Sequence, residues 1–173
     1  LLLGGASPDA IASAAIAEQY PQKASTGDCA LVTAICLESS EAINILLKAG
    51  ANVNLSSSDG ITPLLAAVHH GSDAMAIRLL DLGANADARD KFGLGAIHKA
   101  RRRPLIEELL RRGVDINGSA WCYGWAPIHY ASFHGNSERM EILLELGALL
   151  RVEGKRGEGP LHVAAGTIHG ASK

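Results

Sequence analysis

A period of about 33 residues constrains this chain more than any single motif in it. The segments GANVN at 50–54, GANAD at 83–87, GVDIN at 113–117 and GALLR at 147–151 place equivalent glycines 33, 30 and 34 residues apart. A second landmark keeps step: GITPLLAA at 60–67, GLGAIHKA at 93–100, GWAPIHYA at 124–131 and GEGPLHVA at 157–164, with GDCALVTA at 27–34 as a degraded copy. Self-similarity at this spacing means stacked small units, each able to bury its apolar face only against its neighbours.

The grammar inside a copy is constant. Gly27, Gly60, Gly93, Gly124 and Gly157 each lie three residues before a slot held by Ala30, Pro63, Ala96, Pro127 and Pro160. A turn followed by proline at the first helical position explains that slot, because the missing N–H there has no partner to lose. A short helix of small residues follows. A second, more apolar helix comes next, in AINILLKAG, MAIRLLDLG, LIEELLRRG and MEILLELG, with Ile and Leu at helical spacing and a glycine just past the end. The expected fold class is therefore all-α, built of helix-turn-helix units.

GITPLLAAVHHG followed by LLDLGANAD resembles the ankyrin repeat family, whose signature reads G-x-T-P-L-H-x-A-A-x-x-G and L-L-x-x-G-A-x-x-N. Four successive units share the register, and the resemblance covers about 27–173. It implies an ankyrin solenoid with β-hairpin finger loops, a concave face that binds other proteins, and no catalytic residues of its own. The expected boundaries are the end of a preceding repeat at 1–6, an inserted Ala-rich helix at 7–26, repeats at 27–58 and 59–89, a shortened repeat at 90–120, a repeat at 121–153 and a partial one at 154–173. The shortened copy reads HKARRRPLIEELL and lacks three residues, so its first helix or the turn after it is expected to be truncated, with Pro104 opening the second helix.

Composition narrows the partners. A net charge of −2 and a pI near 6.4 give no global reason to expect nucleic acid or an anionic membrane surface. No run approaches the roughly 18 to 20 unbroken apolar residues of a membrane span. Cys29, Cys36 and Cys122 form neither a disulfide framework nor a C-x-x-C pair, so an intracellular setting, cytoplasmic or nuclear, is expected. With no initiator Met, the chain is expected to be a piece of a longer polypeptide.

Seven histidines invite a metal or catalytic reading. His98, His129 and His162 each follow the proline slot by two residues and are expected to bond neighbouring loop backbone. His70 and His134 share a slot two repeats apart, too far for one zinc ion. EGKRGEGP lacks the spacing of a phosphate-binding loop. No metal site, no cofactor and no enzymatic activity are therefore expected.

The chemistry that remains is aromatic. Five of the seven aromatic residues fall in WCYGWAPIHYASFHG, 121–135. In the family, the residues facing partners lie four and five before the proline slot, two before it, and six and seven after it. Carried over, these positions include His69, His70, Phe92, Tyr123, Trp125, Phe133 and His134. Tyr130 is expected to pack between repeats, and Trp121 to cover the side of the longer neighbouring loop. Residues 91–113 carry a local charge of +5, and Arg102 or Arg103, placed near the end of the inner helix, is expected to pair with a carboxylate or phosphate on a partner. The expected function is a non-enzymatic protein-interaction module, binding another protein or an acidic peptide segment with apolar anchors across a groove from His69/His70 to Trp125/Phe133. Trp125 is expected to matter more for binding than for stability. The alternative is an intramolecular role, with the stack packed on a catalytic domain of the parent chain.

Overall fold

A computed structural model describes residues 29–170, and the segments expected to be the end of a repeat (1–6) and an inserted helix (7–26) lie outside the described residues. Two compact units divide at residue 85. The first holds α1 (Ala30–Cys36), α2 (Ser40–Lys48), α3 (Pro63–His69) and α4 (Asp73–Asp81). The second holds α5 (Ala96–Lys99), α6 (Arg103–Arg111), α7 (Pro127–Phe133), α8 (Ser137–Glu145) and α9 (Pro160–Gly170). No strand occurs among the described residues beyond an isolated antiparallel bridge between Arg89 and Gly95.

Local chemistry sets the helix starts. Thr62 caps α3, its hydroxyl accepting from the Leu65 N–H at 3.3 Å, with Pro63 at the first helical position. Asn136 caps α8 through the Arg139 N–H at 2.9 Å. The first helix of a unit is buried nearly all round, as at Leu64 to Val68, and this explains its small residues. The second helix buries one stripe: Ala76, Leu79 and Leu80 on α4, and Leu105, Ile106 and Leu109 on α6. Within the first unit α1 packs on α2 and α3, and α3 on α4; within the second, α7 packs on α5, α8 and α9.

The three missing residues come out of the first helix of their unit. α5 is a single turn of four residues, against seven in α1, α3 and α7. Its C-terminal carbonyls are met from another helix: the buried Arg139 on α8 donates to the carbonyl of His98 at 2.6 Å and of Ile97 at 3.3 Å. Burial, then the nearby Arg101, pulls the Arg139 pKa down to about 10. The guanidinium thus meets carbonyls that a longer helix would bond internally, and its positive charge sits at the negative end of the helix dipole.

Candidate functional site

The fingers of the second unit are stitched to one another through backbone. The amides of Trp121 and Cys122 donate to the Phe92 carbonyl at 3.1 and 3.3 Å, and the Lys155 amide to the Tyr123 carbonyl at 2.8 Å. Gly93 makes room for this contact: with φ at 78°, a Cβ there would lie 2.5 Å from the Trp121 backbone nitrogen and ring. Trp121 thus lies over the neighbouring finger while its outer face stays exposed. A cavity of about 520 Å³ opens beside it, lined in part by Trp121, Val152, Glu153 and Lys155.

Trp125 is the hub of the aromatic cluster. Its ring centroid is 5.0 Å from Tyr123, 5.5 Å from Phe133 and 5.4 Å from Tyr130, the last edge-on, and it stacks at 6.2 Å on His129. Its indole N–H donates to Glu158 Oε1 at 2.7 Å. Hydrogen bonds, from Trp125 first and then from the backbone amides of Glu158 and Arg156, hold the Glu158 carboxyl below its ordinary range. Gly154 permits the arrangement, since a Cβ there would meet the Glu158 carboxylate at 2.7 Å and the indole at 2.9 Å. The tryptophan is half-buried, so its role extends beyond the exposed contact expected of it.

Around that hub the exposed rings form one surface. Tyr123 is 51% and Phe133 45% exposed, and Phe133 meets His134 edge-on at 5.2 Å. Tyr130 is the inward member: burial, then its contact with Cys122 at 3.7 Å, raises the pKa of its phenol. On the neighbouring finger Phe92 is 51% exposed, with the Lys91 ammonium 5.2 Å from its centroid. Lys155, which donates to the Trp121 carbonyl, and Arg156 add further positive charge on the next finger.

The other expected site residues fall elsewhere. Arg102 is the N-cap of α6 and Arg103 its first residue, three and four residues past Lys99, the last residue of α5. Arg103 is engaged by Glu107 at 3.6 Å and by Glu145 of α8. Arg101 and Arg102 are exposed and Arg103 is half-buried. His69 and His70 belong to the first unit, exposed and edge-on to each other at 5.7 Å.

The slot histidines are held by backbone. His98 Nδ1 accepts from the Gly95 amide at 3.1 Å, and its Nε2 donates to the Gly118 carbonyl at 2.9 Å. His129 repeats the pattern with Ala126 at 3.2 Å and the Glu158 carbonyl at 3.1 Å, and His162 accepts from Gly159 at 3.2 Å. No group of three or more His, Cys, Asp or Glu able to hold a metal occurs among the described residues.

The sequence profile described as ankyrin repeats (3 copies) matches residues 7–90 and 75–153, most of the chain. This chain belongs to the ankyrin repeat family. The fold is accordingly an all-α ankyrin repeat, and ankyrin repeats are in general protein-interaction modules. Similar proteins include human SH3 and multiple ankyrin repeat domains protein 2, 31% identical over 81% of this chain and 8% of that protein. Human neurogenic locus notch homolog protein 1 is 30% identical over 86% of the chain and 6% of its own length. Tyrosine-protein kinase Shark of Drosophila melanogaster is 31% identical over 69% and 13%. The ankyrin chain thus spans a small part of each of these relatives. No helix among the described residues is long and apolar enough to cross a membrane.

Proposed function

We propose that this ankyrin chain is a non-enzymatic recognition module that binds another protein through the ring surface of its second unit, with Tyr123 and Phe133 as contact residues and Trp125 as their support. The observation that carries the reading is the pair of exposed rings held rigid by a tryptophan that is itself fixed by packing and by Glu158. Aromatic residues are enriched among interface anchors because they bury large area with few rotors to freeze. Phe92 extends the surface and His134 borders it. The charges nearby, Lys91, Lys155 and Arg156, favour a partner segment that is acidic with apolar anchors. Arg102 and Arg103 contribute at most at its margin, given the carboxylates already around Arg103. An intracellular site, cytoplasmic or nuclear, fits three cysteines that form no disulfide among the described residues.

Selection of peptides from a displayed library, with counter-selection on a Tyr123→Ala/Phe133→Ala variant, tests this. Enriched sequences should combine Asp or Glu with large apolar residues and should lose about 2 kcal/mol or more of binding to the variant. Equal affinity for both proteins would remove the ring surface from the interface.

A second reading is favoured by one observation: a relative covering 69% of the chain is named a tyrosine-protein kinase, and the chain spans 13% of it. In that reading the same rings pack on a catalytic domain of the parent polypeptide. The parent chain would then bury Tyr123 and Phe133, and its catalytic activity would respond to their replacement.

A further inference from the structure

One turn of the first unit breaks the pattern of its counterparts. α3 and α7 are each followed by a residue and then a glycine in the left-handed region, Gly71 at φ 73° and Gly135 at φ 61°, whose amides bond back to the carbonyls of Val68 and Ser132. After α1 the same place is taken by Glu38 at φ 54°, its amide bonding to the Ile35 carbonyl at 2.9 Å. Glu38 is the one non-glycine residue with positive φ among the described residues. Glycine reaches this conformation without the steric cost that a Cβ brings, so the turn is less stable with the glutamate than the fold alone requires.

The position gives the side chain a cavity to guard. A space of about 410 Å³ is floored by Ile35, Ile43 and Met75 and edged by Glu38, Ser40 and His70. Ile35 and Ile43 are almost wholly buried, so the floor is fixed by the core. The Glu38 carboxylate is 77% exposed and stands 3.9 Å from His70 Nδ1, at the outer limit of an ion pair. Among the described residues no lysine or arginine lines the cavity. An apolar floor beneath a carboxylate and a hydroxyl complements an alkyl stem that ends in a cation.

We propose that this cavity is a recognition pocket for a lysine side chain of a bound peptide segment, with the methylene stem on Ile35, Ile43 and Met75 and the ammonium on Glu38 and Ser40. The pocket shares no residue with the aromatic surface of the second unit, so its test leaves the proposed function untouched either way.

The probe is N-acetyl-lysine N-methylamide, titrated into the chain with methyl labels on isoleucine and methionine and followed by NMR. Its control is N-acetyl-norleucine N-methylamide, which has the stem without the charge. Saturable shifts of the Ile43 and Met75 methyls are expected with lysine, at least tenfold weaker with norleucine. Glu38→Gln should weaken lysine binding at least tenfold. Glu38→Gly should do the same while melting no lower than the natural chain, because the glycine relieves the turn. Equal binding of norleucine, undiminished binding by either variant, or an absence of saturable shifts in the natural chain would overturn the pocket.

Discussion

Trp125 is the residue at which recognition and stability overlap. It packs against four rings, is half-buried, and bonds through its indole nitrogen to the next finger. Trp125→Ala is therefore expected to cost the fold about 3 kcal/mol, the low end for truncating a buried aromatic. Tyr123→Ala, at an exposed ring, should cost less than about 1 kcal/mol. Chemical denaturation of the two variants checks the ordering, and equal costs would place Tyr123 in the core. His98 supplies a second test at this scale. Burial first, then the Arg89 guanidinium, pushes its pKa from 6.5 down to about 4. Between those pH values the unfolded chain takes up a proton that the folded chain refuses, so stability falls as the pH drops through the window. The full shift corresponds to about 3 kcal/mol. A His98→Gln variant should begin less stable at pH 7 and lose less between pH 6.5 and 4; a variant profile parallel to that of the natural chain would show that another group carries the loss.

At the scale of elements, α5 shows what a deletion requires of its neighbours. Four residues leave the helix ending early, and Arg139, about forty residues on, reaches the carbonyls of Ile97 and His98. Arg139→Met should cost about 2 kcal/mol, because two buried acceptors lose charge-assisted donors while the desolvation cost of the guanidinium is recovered. Arg139→Lys should cost less, since one donor remains in place. Urea unfolding of both variants reads the difference, and a neutral Arg139→Met would mean that the carbonyls find other partners. The helices themselves were legible: the 33-residue period and the proline slots locate α3, α7 and α9 at their first residues, Pro63, Pro127 and Pro160. The role of Arg139 was not, because nothing in SERMEILLE marks its arginine as turned inward when every other copy puts an apolar or neutral residue on that stripe. Glu38 was half-legible. AICLESS laid over AVHHGSD and ASFHGNS shows a glutamate at a glycine slot, but only three dimensions show the cavity beneath it. The aromatic cluster was plain as a cluster; its hub was not, since the bond from Trp125 to Glu158 joins residues one repeat apart.

For the whole molecule, the repeat decides what the histidines can do. His98 and His129 each have both ring nitrogens committed to backbone, Nδ1 accepting an amide and Nε2 meeting a carbonyl, and His162 repeats the first of these bonds. The His98 and His129 imidazoles each link the start of their own helix to a loop further along the chain, so the same residue recurs where the unit recurs. Metal binding would need a free nitrogen on each ring and would have to convert a helix-start bond into a coordination bond. The expectation is that the thermal midpoint is unchanged by a chelator and is not raised by added zinc, because a metal that bound the folded chain alone would shift it by mass action. Nitrogen NMR should find His98 and His129 as the tautomer protonated at Nε2, with shifts insensitive to both treatments. A midpoint that falls on chelation, or imidazole signals that move with zinc, would return a ligand role to these residues.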